Sequence, residues 1–385
     1  MPDLFLTAPF ADGDFLACIL GPADVAARPA AAEGLALRAD PHKPRVAPVA
    51  IPGARAEGVV ATLDDAAAAR MRFALAAFGG GAPRDVLTSA GPAEAMPAAE
   101  ADAPEAPWPA APDPEWRAHL LEAAAEAMAQ FGLRPAAEMP ALMPGIGYRA
   151  LARVRGGADR TPVRLRRDLS AAADVEALGV ERPYLRYFAV EERRLRHRRF
   201  DGGMSGPVER AVFASGDAVT VLPFDPGRRL VLMIEQFRPG PYARRDPRPW
   251  SLEAVAGRCD PGEGPEATAR REAVEEAGLT LGRMRRIAGY YTSPGTMAEH
   301  ITAYVGEASL DEGMGGVHGL ADEDEDIRVI VAPLAEALAL LDTGEVTGEV
   351  NNGPLLVSLL WLAANADRLA AEWTADPAPP AGDLA

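Results

Sequence analysis

The stretch GRCDPGEGPEATARREAVEEAGL, Gly257 to Leu279, constrains this chain more tightly than any other. It follows SLEAVAG, which reads as a short strand ending in glycine, and it opens with the loop chemistry of RCDPGEG. Gly257 is expected to supply backbone angles that a tight loop requires. Pro265 suits a first helical turn and Gly278 a C-terminal cap, so a helix is expected from about Pro265 to Ala277. Along that helix Glu272, Glu275 and Glu276 fall within one arc, and Ala267, Val274 and Ala277 fall on the other side, which is expected to face the core. Like charges three and four residues apart cost roughly a few tenths of a kcal/mol each. Either water screens them or something cationic needs them. Carboxylate oxygens are the ligands that Mg²⁺ prefers, usually together with substrate phosphate oxygens. Taken alone, the helix leaves a solvated acidic face equally open.

Composition narrows the classes. A chain of 385 residues carries a two-domain expectation, and 48% apolar content is ample for a core. The net charge of −17 disfavours nonspecific binding to nucleic acid or anionic membrane. The same acidity weakens any argument from the glutamate cluster alone. Cys18 and Cys259, the only cysteines, cannot make a disulfide framework or a zinc site by themselves. No basic segment leads into an apolar run at the N-terminus, and no uncharged apolar stretch of about 20 residues occurs. A cytoplasmic enzyme is the expectation.

Along the chain, residues 1 to about 88 read as a small mixed unit: LFLTAPF and GVVATL as strands, AAAARMRFALAAF as a helix, GGGAPRD as a turn. Residues 89–113, rich in Ala, Pro and Glu, read as a flexible, partly extended linker. Residues 114–173 read as a helical connector, with an amphipathic helix from Asp113 or Pro114 to Gly132 and a second short helix within MPALMPGIGYRALARVRG. From Asp174 strand signals dominate. AVTVLPFD and RRLVLMIEQF read as a hairpin through Pro226-Gly227, ITAYVGEA and DIRVIVAP as strands, and LAEALALLDTG and NNGPLLVSLLWLAANADRLAAEW as closing helices. The last residues, 374–385, read as a disordered tail.

The gapped pattern as a whole, Gly257, Glu263 and then Arg271-Glu272-Ala273-Val274-Glu275-Glu276-Ala277-Gly278-Leu279, resembles the Nudix box. The resemblance implies a Nudix α/β/α sandwich around a mixed sheet, hence an α/β (α+β) fold class, over 174–373. It also implies metal-assisted hydrolysis of a nucleoside diphosphate linked to another moiety. Ala273 stands where the family has a bulkier aliphatic, which suggests looser packing beneath the helix.

EQFRPGPY, LEAVAGRCDPGE, YYTSPGTMAEHI and GVHGLADEDEDIRV are together similar to the ADP-ribose pyrophosphatase branch. Carried over position by position, the resemblance implies metal ligation by Glu272, Glu276, Glu325 and the Ala256 carbonyl, with Glu275 assisting. The general base matches Glu323. Arg238 and Arg210 match substrate-contacting arginines, Tyr187 and Phe188 match aromatics that hold the adenine, and Ser293, Pro294, Gly295 and Glu299 match a loop on the ribose-phosphate side. On their own residues, Tyr187 and Phe188 read equally as strand core, and 322–326 as an acidic solvated loop. Ser215 replaces an arginine of the branch, which bears on fine substrate preference. The implied cofactor is Mg²⁺ or Mn²⁺. The implied substrate is ADP-ribose, hydrolysed to AMP and ribose 5-phosphate; GDP-mannose or another nucleoside diphosphate sugar is the alternative, and an inert nucleotide-sugar sensor a third. The branch further implies a homodimer through the Nudix domain. The long basic segment YLRYFAVEERRLRHRRF is consistent with pairing to an acidic partner surface.

Residues 3 to 84 resemble the gamma-glutamylcyclotransferase-like (AIG2-like) fold. Thr7-Ala8-Pro9-Phe10 stands at that family's glycine-bearing loop, and Ala74 to Ala77 stand where its catalytic glutamate is expected. An accessory, non-catalytic domain is therefore expected, in a fusion resembling tellurite-resistance-associated proteins. On this reading a chain beginning near Asp174 is expected to keep a similar turnover number at lower solubility; the alternative is that the helix after Pro114 packs on the Nudix domain and belongs to the catalytic unit.

Overall fold

The computed structural model describes residues 3–21, 25–40, 44–98, 104, 106–109, 113–158, 161–319, 325–341 and 351–375. Two compact units emerge, one comprising 1–216 with 260–262 and 295–298, the other 217–259, 263–294 and 299–385. Each is described by itself. Among the described residues no helix is long and apolar enough to cross a membrane.

In the first unit, strands β1 (Asp3–Leu6), β2 (Ala26–Asp40), β3 (Arg45–Thr62), β4 (Arg84–Thr88), β5 (Gly91–Ala95) and β6 (Ala106–Pro107) form one sheet in the order β3-β1-β5-β4-β2-β6. Because β2 also pairs with β3, the sheet curls back on itself as a small barrel. Helices α1 (Gly13–Leu20), α2 (Asp65–Ala77), α3 (Pro114–Met128) and α4 (Met139–Ala158) share one core, in which Phe10, Phe15, Met71 and Phe78 meet Leu120, Met139, Met143 and Ile146. A one-turn helix, α5 (Ala171–Asp174), leads into β7 (Val175–Leu185), β8 (Ala189–His197) and β9 (Val208–Ala214), a separate antiparallel sheet in that order. Leu185, Ala189 and Ala214 belong to the same core as α3 and α4.

Three expectations are corrected here. The segment 89–113 is not simply a linker: β5 pairs with β4 and β1, and Ala93, Ala95, Met96 and Ala98 are buried. Alanine-rich composition hid a strand whose small side chains fit close to its neighbours. The region 114–173 is not a connector either, since α3 and α4 contribute many of the unit's buried side chains. The difficult stretch after Met139 is a single helix of 20 residues that tolerates Pro144.

The second unit is a mixed eight-stranded sheet of β10 (Ala218–Asp225), β11 (Leu230–Phe237), β12 (Trp250–Glu253), β13 (Val255–Arg258), β14 (Met284–Tyr291), β15 (His300–Glu307), β16 (Gly315–His318) and β17 (Ile327–Pro333). Its main order is β14-β15-β10-β11-β17-β16, with β12 on β11 and β13 on β10. Only β10 and β15 run parallel; the other pairings are antiparallel. The hairpin of β10 and β11 forms as expected, with Phe224 opposite Val231. SLEAVAG is not one strand: it breaks at Ala254, so that β12 and β13 pair with different partners.

The near-continuous apolar runs of β10 and β11 suit strands covered on both faces. Leu222, Phe224, Val231 and Met233 pack against α9 (Gly353–Ala375), whose Leu355, Leu359, Leu362, Ala366, Leu369 and Trp373 recur every three or four residues. Short helices α6 (Pro239–Ala243) and α8 (Leu334–Ala339) complete the elements, with α7 (Pro265–Ala277). The helix α7 ends as expected: Gly278 takes the left-handed conformation and the Leu279 N–H reaches the Ala273 carbonyl.

Candidate active site

The helix α7 buries a face other than the one its apolar residues suggested. Thr268, Ala269, Ala273, Glu276 and Ala277 are inside, while Ala267 is exposed and Val274 is 52% exposed. The carboxylates lie on the inward side because β13 is built to receive them. Glu276 Oε2 accepts the Ala256 N–H at 3.0 Å. Gly257 leaves room for Glu272: a Cβ there would overlap the Glu272 carboxylate. The backbone of Gly257 is not in the left-handed region, so glycine is required by close approach and not by the loop angles expected for it. Ala273 is fully buried, small where the helix meets its support.

Arg271 supplies most of the cation that the three glutamates called for. Its Nη1 contacts Glu272 Oε1 at 2.9 Å and Glu275 Oε2 at 2.6 Å, and its Nε contacts Glu263 Oε2 at 3.2 Å. The surrounding carboxylates hold the guanidinium in its charged form more strongly than usual. Glu275 therefore fixes Arg271, and Glu263, eight residues upstream, closes the same network.

Compensation is incomplete for the two deeper carboxylates. Burial, with Glu275 and Glu325 adding repulsion that Arg271 only partly offsets, pushes Glu272 up to about 7. Burial pushes Glu276 up to about 8, with Glu272 and Glu325 raising it further and the Ala256 N–H and Arg238 opposing. Two carboxylates that resist ionisation, one buried and one partly buried, with a third acting on both, are a donor set of hard oxygens short of positive charge. Among the described residues no three His, Cys, Asp or Glu side chains form a ready-made cation cluster. Magnesium does not need one, because one or two carboxylates suffice when substrate oxygens and water complete the shell. The residues present fit a divalent cation.

Arg238, at the end of β11, is held by a fork: Nε to Glu253 Oε1 at 2.9 Å and Nη2 to Glu253 Oε2 at 2.7 Å. Glu253 is buried, and its charge raises the arginine's pKa against the effect of burial. The fork fixes the guanidinium plane and leaves Nη1 outside it. Sequence reasoning missed Glu253; its signal is a lone carboxylate in the apolar run of SLEAVAG. Ser293 and Pro294 are exposed, and Thr292 Oγ1 donates to Glu299 Oε2 at 3.1 Å across the loop. The base candidate Glu323 lies outside the described residues, as do Asp322 and Asp324.

Tyr187, Phe188, Arg210 and Gly295 belong to the first unit. Tyr187 and Phe188 are not strand core: they sit in the turn between β7 and β8, and Tyr187 is 61% exposed. Their rings meet edge to face at 4.8 Å, and Phe188 lies 4.7 Å from Phe213. The Phe213 N–H donates to the Thr296 carbonyl, and the Ala298 N–H to the Phe213 carbonyl. This aromatic ledge is thereby tied to the loop of Gly295. Phe213 was not singled out in the sequence, where AVF reads as ordinary strand. Arg210, on β9, donates to the neighbouring Glu209 carbonyl at 2.7 Å. Ser215 is buried against Gly216.

Residues 214–349 match the family described as the NUDIX domain. An ADP-ribose pyrophosphatase of Escherichia coli is 40% identical over 200 residues, covering 52% of this chain and 93% of that protein. An ADP-ribose pyrophosphatase of Haemophilus influenzae is 35% identical over 204 residues, covering 52% of this chain and 91% of that one. A GDP-mannose pyrophosphatase of Citrobacter koseri is 36% identical over 138 residues, covering 36% of this chain and 71% of that protein.

Proposed function

The chain belongs to the Nudix hydrolase family, and from that premise we propose that it hydrolyses the diphosphate bond of ADP-ribose, with water, to AMP and ribose 5-phosphate. The observation that carries the reading is the pair of carboxylates, partly buried Glu272 and buried Glu276, received by Gly257 and the Ala256 N–H. Water must attack a phosphorus already surrounded by negative oxygens, so the site has to supply positive charge and remove a proton. A divalent cation, Mg²⁺ or Mn²⁺, would be held by Glu272, Glu276, Glu325 and the Ala256 carbonyl, and supplies charge neutralisation and a more acidic water. Arg238, held flat by Glu253, binds diphosphate oxygens through its remaining edge. Arg210 adds a second cation. Glu275 restrains Arg271, and Glu323 takes the proton of the attacking water. Tyr187 and Phe188 hold the base, and Ser293, Pro294, Gly295 and Glu299 line the ribose-phosphate side.

The relative from Citrobacter koseri supports a second reading, hydrolysis of GDP-mannose or another nucleoside diphosphate sugar. A panel of nucleoside diphosphate sugars assayed with Mg²⁺ separates the readings. Preferential conversion of ADP-ribose supports the first, preference for the guanine sugar the second, and no hydrolysis of any member a nucleotide-sugar sensor. Within the same proposal the barrel and its helix α2 are an accessory domain of gamma-glutamylcyclotransferase-like kind. Support comes from Ala74, Leu75 and Ala77, which are buried apolar residues where a catalytic carboxylate would be needed. A cytoplasmic homodimer completes the reading; the resemblance to tellurite-resistance-associated fusions assigns no chemistry.

A further inference from the structure

Gly145, Tyr148 and Arg149 stand at i, i+3 and i+4 on α4 and so share one helix face. Gly145 and Arg149 meet the turn that carries Tyr187, and Tyr148 meets Asp260. A Cβ at Gly145 would come within 2.8 Å of the Arg186 carbonyl oxygen and 2.9 Å of the Tyr187 carbonyl oxygen. Both are backbone atoms, so the turn itself would have to move. Arg149 Nη1 donates to the Tyr187 carbonyl at 3.4 Å, while its Nε and Nη2 grip Glu126 Oε1 of α3 at 2.9 and 2.7 Å. Arg149 and Glu126 side chains are each 1% exposed, so the grip is dry and its geometry fixed. Tyr148 Oη donates to Asp260 Oδ1 at 2.7 Å. Asp260 lies in the loop between Gly257 and Glu263, inside the Nudix signature, and α4 lies outside the residues that match the family.

We propose that α4 is a positioning element for two segments of the first unit: Gly145 and Arg149 set the Arg186–Phe188 turn that presents Tyr187, and Tyr148 sets the loop at Asp260. The proposal rests on the reading above that Tyr187 holds the base. A glycine in mid-helix is unfavourable by itself, so its place where α4 meets the turn is explained by contact. Tyr187 is 61% exposed, and the turn's internal bond runs from the Arg186 N–H to the Phe188 carbonyl at 2.9 Å. An aromatic platform stacks well only when its plane is fixed before the ligand arrives.

The test uses the full chain with Gly145→Ala, Tyr187→Ala and the double variant. Hydrogen exchange of the peptide spanning 184–190 reports the turn whether or not the protein turns anything over. About tenfold faster exchange there in Gly145→Ala, with α9 unchanged, is expected. KM for ADP-ribose should rise about tenfold with kcat within about twofold. In the Tyr187→Ala background the same substitution should change KM by less than about twofold, because the helix acts through that ring. A merely structural defect lowers the active fraction, hence kcat, and leaves KM alone. Unchanged exchange of the turn, or an undiminished KM effect without Tyr187, overturns the proposal. Faster exchange of the turn in Gly145→Ala, with a wild-type chain that hydrolyses no nucleoside diphosphate sugar, leaves the positioning standing and sinks the functional reading instead. Should Gly145→Ala fail to fold, the isosteric Tyr148→Phe tests the other contact: exchange of 258–264 should quicken and the Mg²⁺ activation midpoint rise several-fold, and no change in either overturns the proposal.

Discussion

Gly257 and Glu272 share a space that only one of them can fill: the carboxylate of Glu272 occupies the position that a Cβ on residue 257 would take. The conflict created by Gly257→Ala falls on the end of a flexible side chain and not on backbone, so the fold should survive while the carboxylate is displaced. A loss of about 100-fold in kcat is expected with little change in the thermal midpoint. Normal turnover in a well-folded Gly257→Ala protein would show that the position of Glu272 is not critical.

Glu276→Gln removes a charge but keeps an amide oxygen to accept the Ala256 N–H. It also relieves the repulsion that Glu272 and Glu325 exert on a buried carboxylate. Stability should hold or rise. Turnover at saturating substrate should fall by roughly three orders of magnitude, because the cation loses an anionic ligand. Calorimetric titration with Mg²⁺ beside the activity assay checks both halves; substantial unfolding with normal residual turnover would give Glu276 a structural job.

The helix pair of the first unit should respond to acid. His119 is fully buried between α3 and α4, with Nε2 bonded to the Gly147 carbonyl at 3.0 Å and, among the described residues, no hydrogen-bond partner for Nδ1. Burial pulls its pKa from 6.5 down to about 4, opposed by the Gly147 bond and aided by Arg155 and Arg153. The native ring is neutral where the unfolded ring is protonated, so the unfolded state binds the extra proton. Stability is complete above pH 6.5 and is lost as pH falls towards about 4. The loss attributable to His119 is about 2 kcal/mol by pH 5 and about 3 kcal/mol by pH 4. Denaturant midpoints at pH 7 and 5 for the wild type and His119→Gln, whose amide can still donate to Gly147, measure the difference. Parallel pH profiles would remove His119 as the cause.

The extent of α7 was legible because Pro265 and Gly278 mark helix ends through backbone properties that hold in any fold. The hairpin of β10 and β11 was legible because two apolar runs flank Pro226-Gly227. The buried face of α7 was not, because apolar periodicity assumes that a helix buries its hydrocarbons. Here Val274 is turned outwards so that Glu276 can reach the backbone of β13. Glu253 was hidden for a related reason: its partner Arg238 is fifteen residues away, and pairing of β12 with β11 brings the two side chains within reach. The strand β5 was hidden by alanines whose burial is set by neighbours and not by size. Motif spacing located Glu272 and Glu276, but only the contacts of β13 explain why burial of both is tolerated.

The antiparallel sheet β7-β8-β9 ends on β7, an edge strand with Val175, Val180 and Tyr184 between 40% and 47% exposed. Exposed edges with apolar side chains invite pairing with a second copy. Light scattering at micromolar concentration should give twice the 40.5 kDa chain mass, and Val180→Lys should shift the population towards one chain. A single-chain mass for the wild type counts against the dimer.

A chain beginning at Asp174 should not keep its turnover, contrary to what the sequence suggested. Leu185, Ala189 and Ala214 lie in the core that α3 and α4 complete, so the cut would bare them to water. It would also remove Arg149 from the Tyr187 carbonyl and Tyr148 from Asp260. A chain beginning at Asp113 keeps α3 and α4 but loses the barrel, α1 and α2, whose side chains cover the other side of those helices. Activity should therefore fall in steps: full for the intact chain, reduced with poor solubility for the chain from Asp113, and lost for the chain from Asp174. Turnover per mole of folded protein, with folding followed by near-ultraviolet circular dichroism, is the measurement. Full turnover by the chain from Asp174 would show that the β7-β8-β9 sheet and its turn hold their shape without α4, and would overturn the positioning role as well.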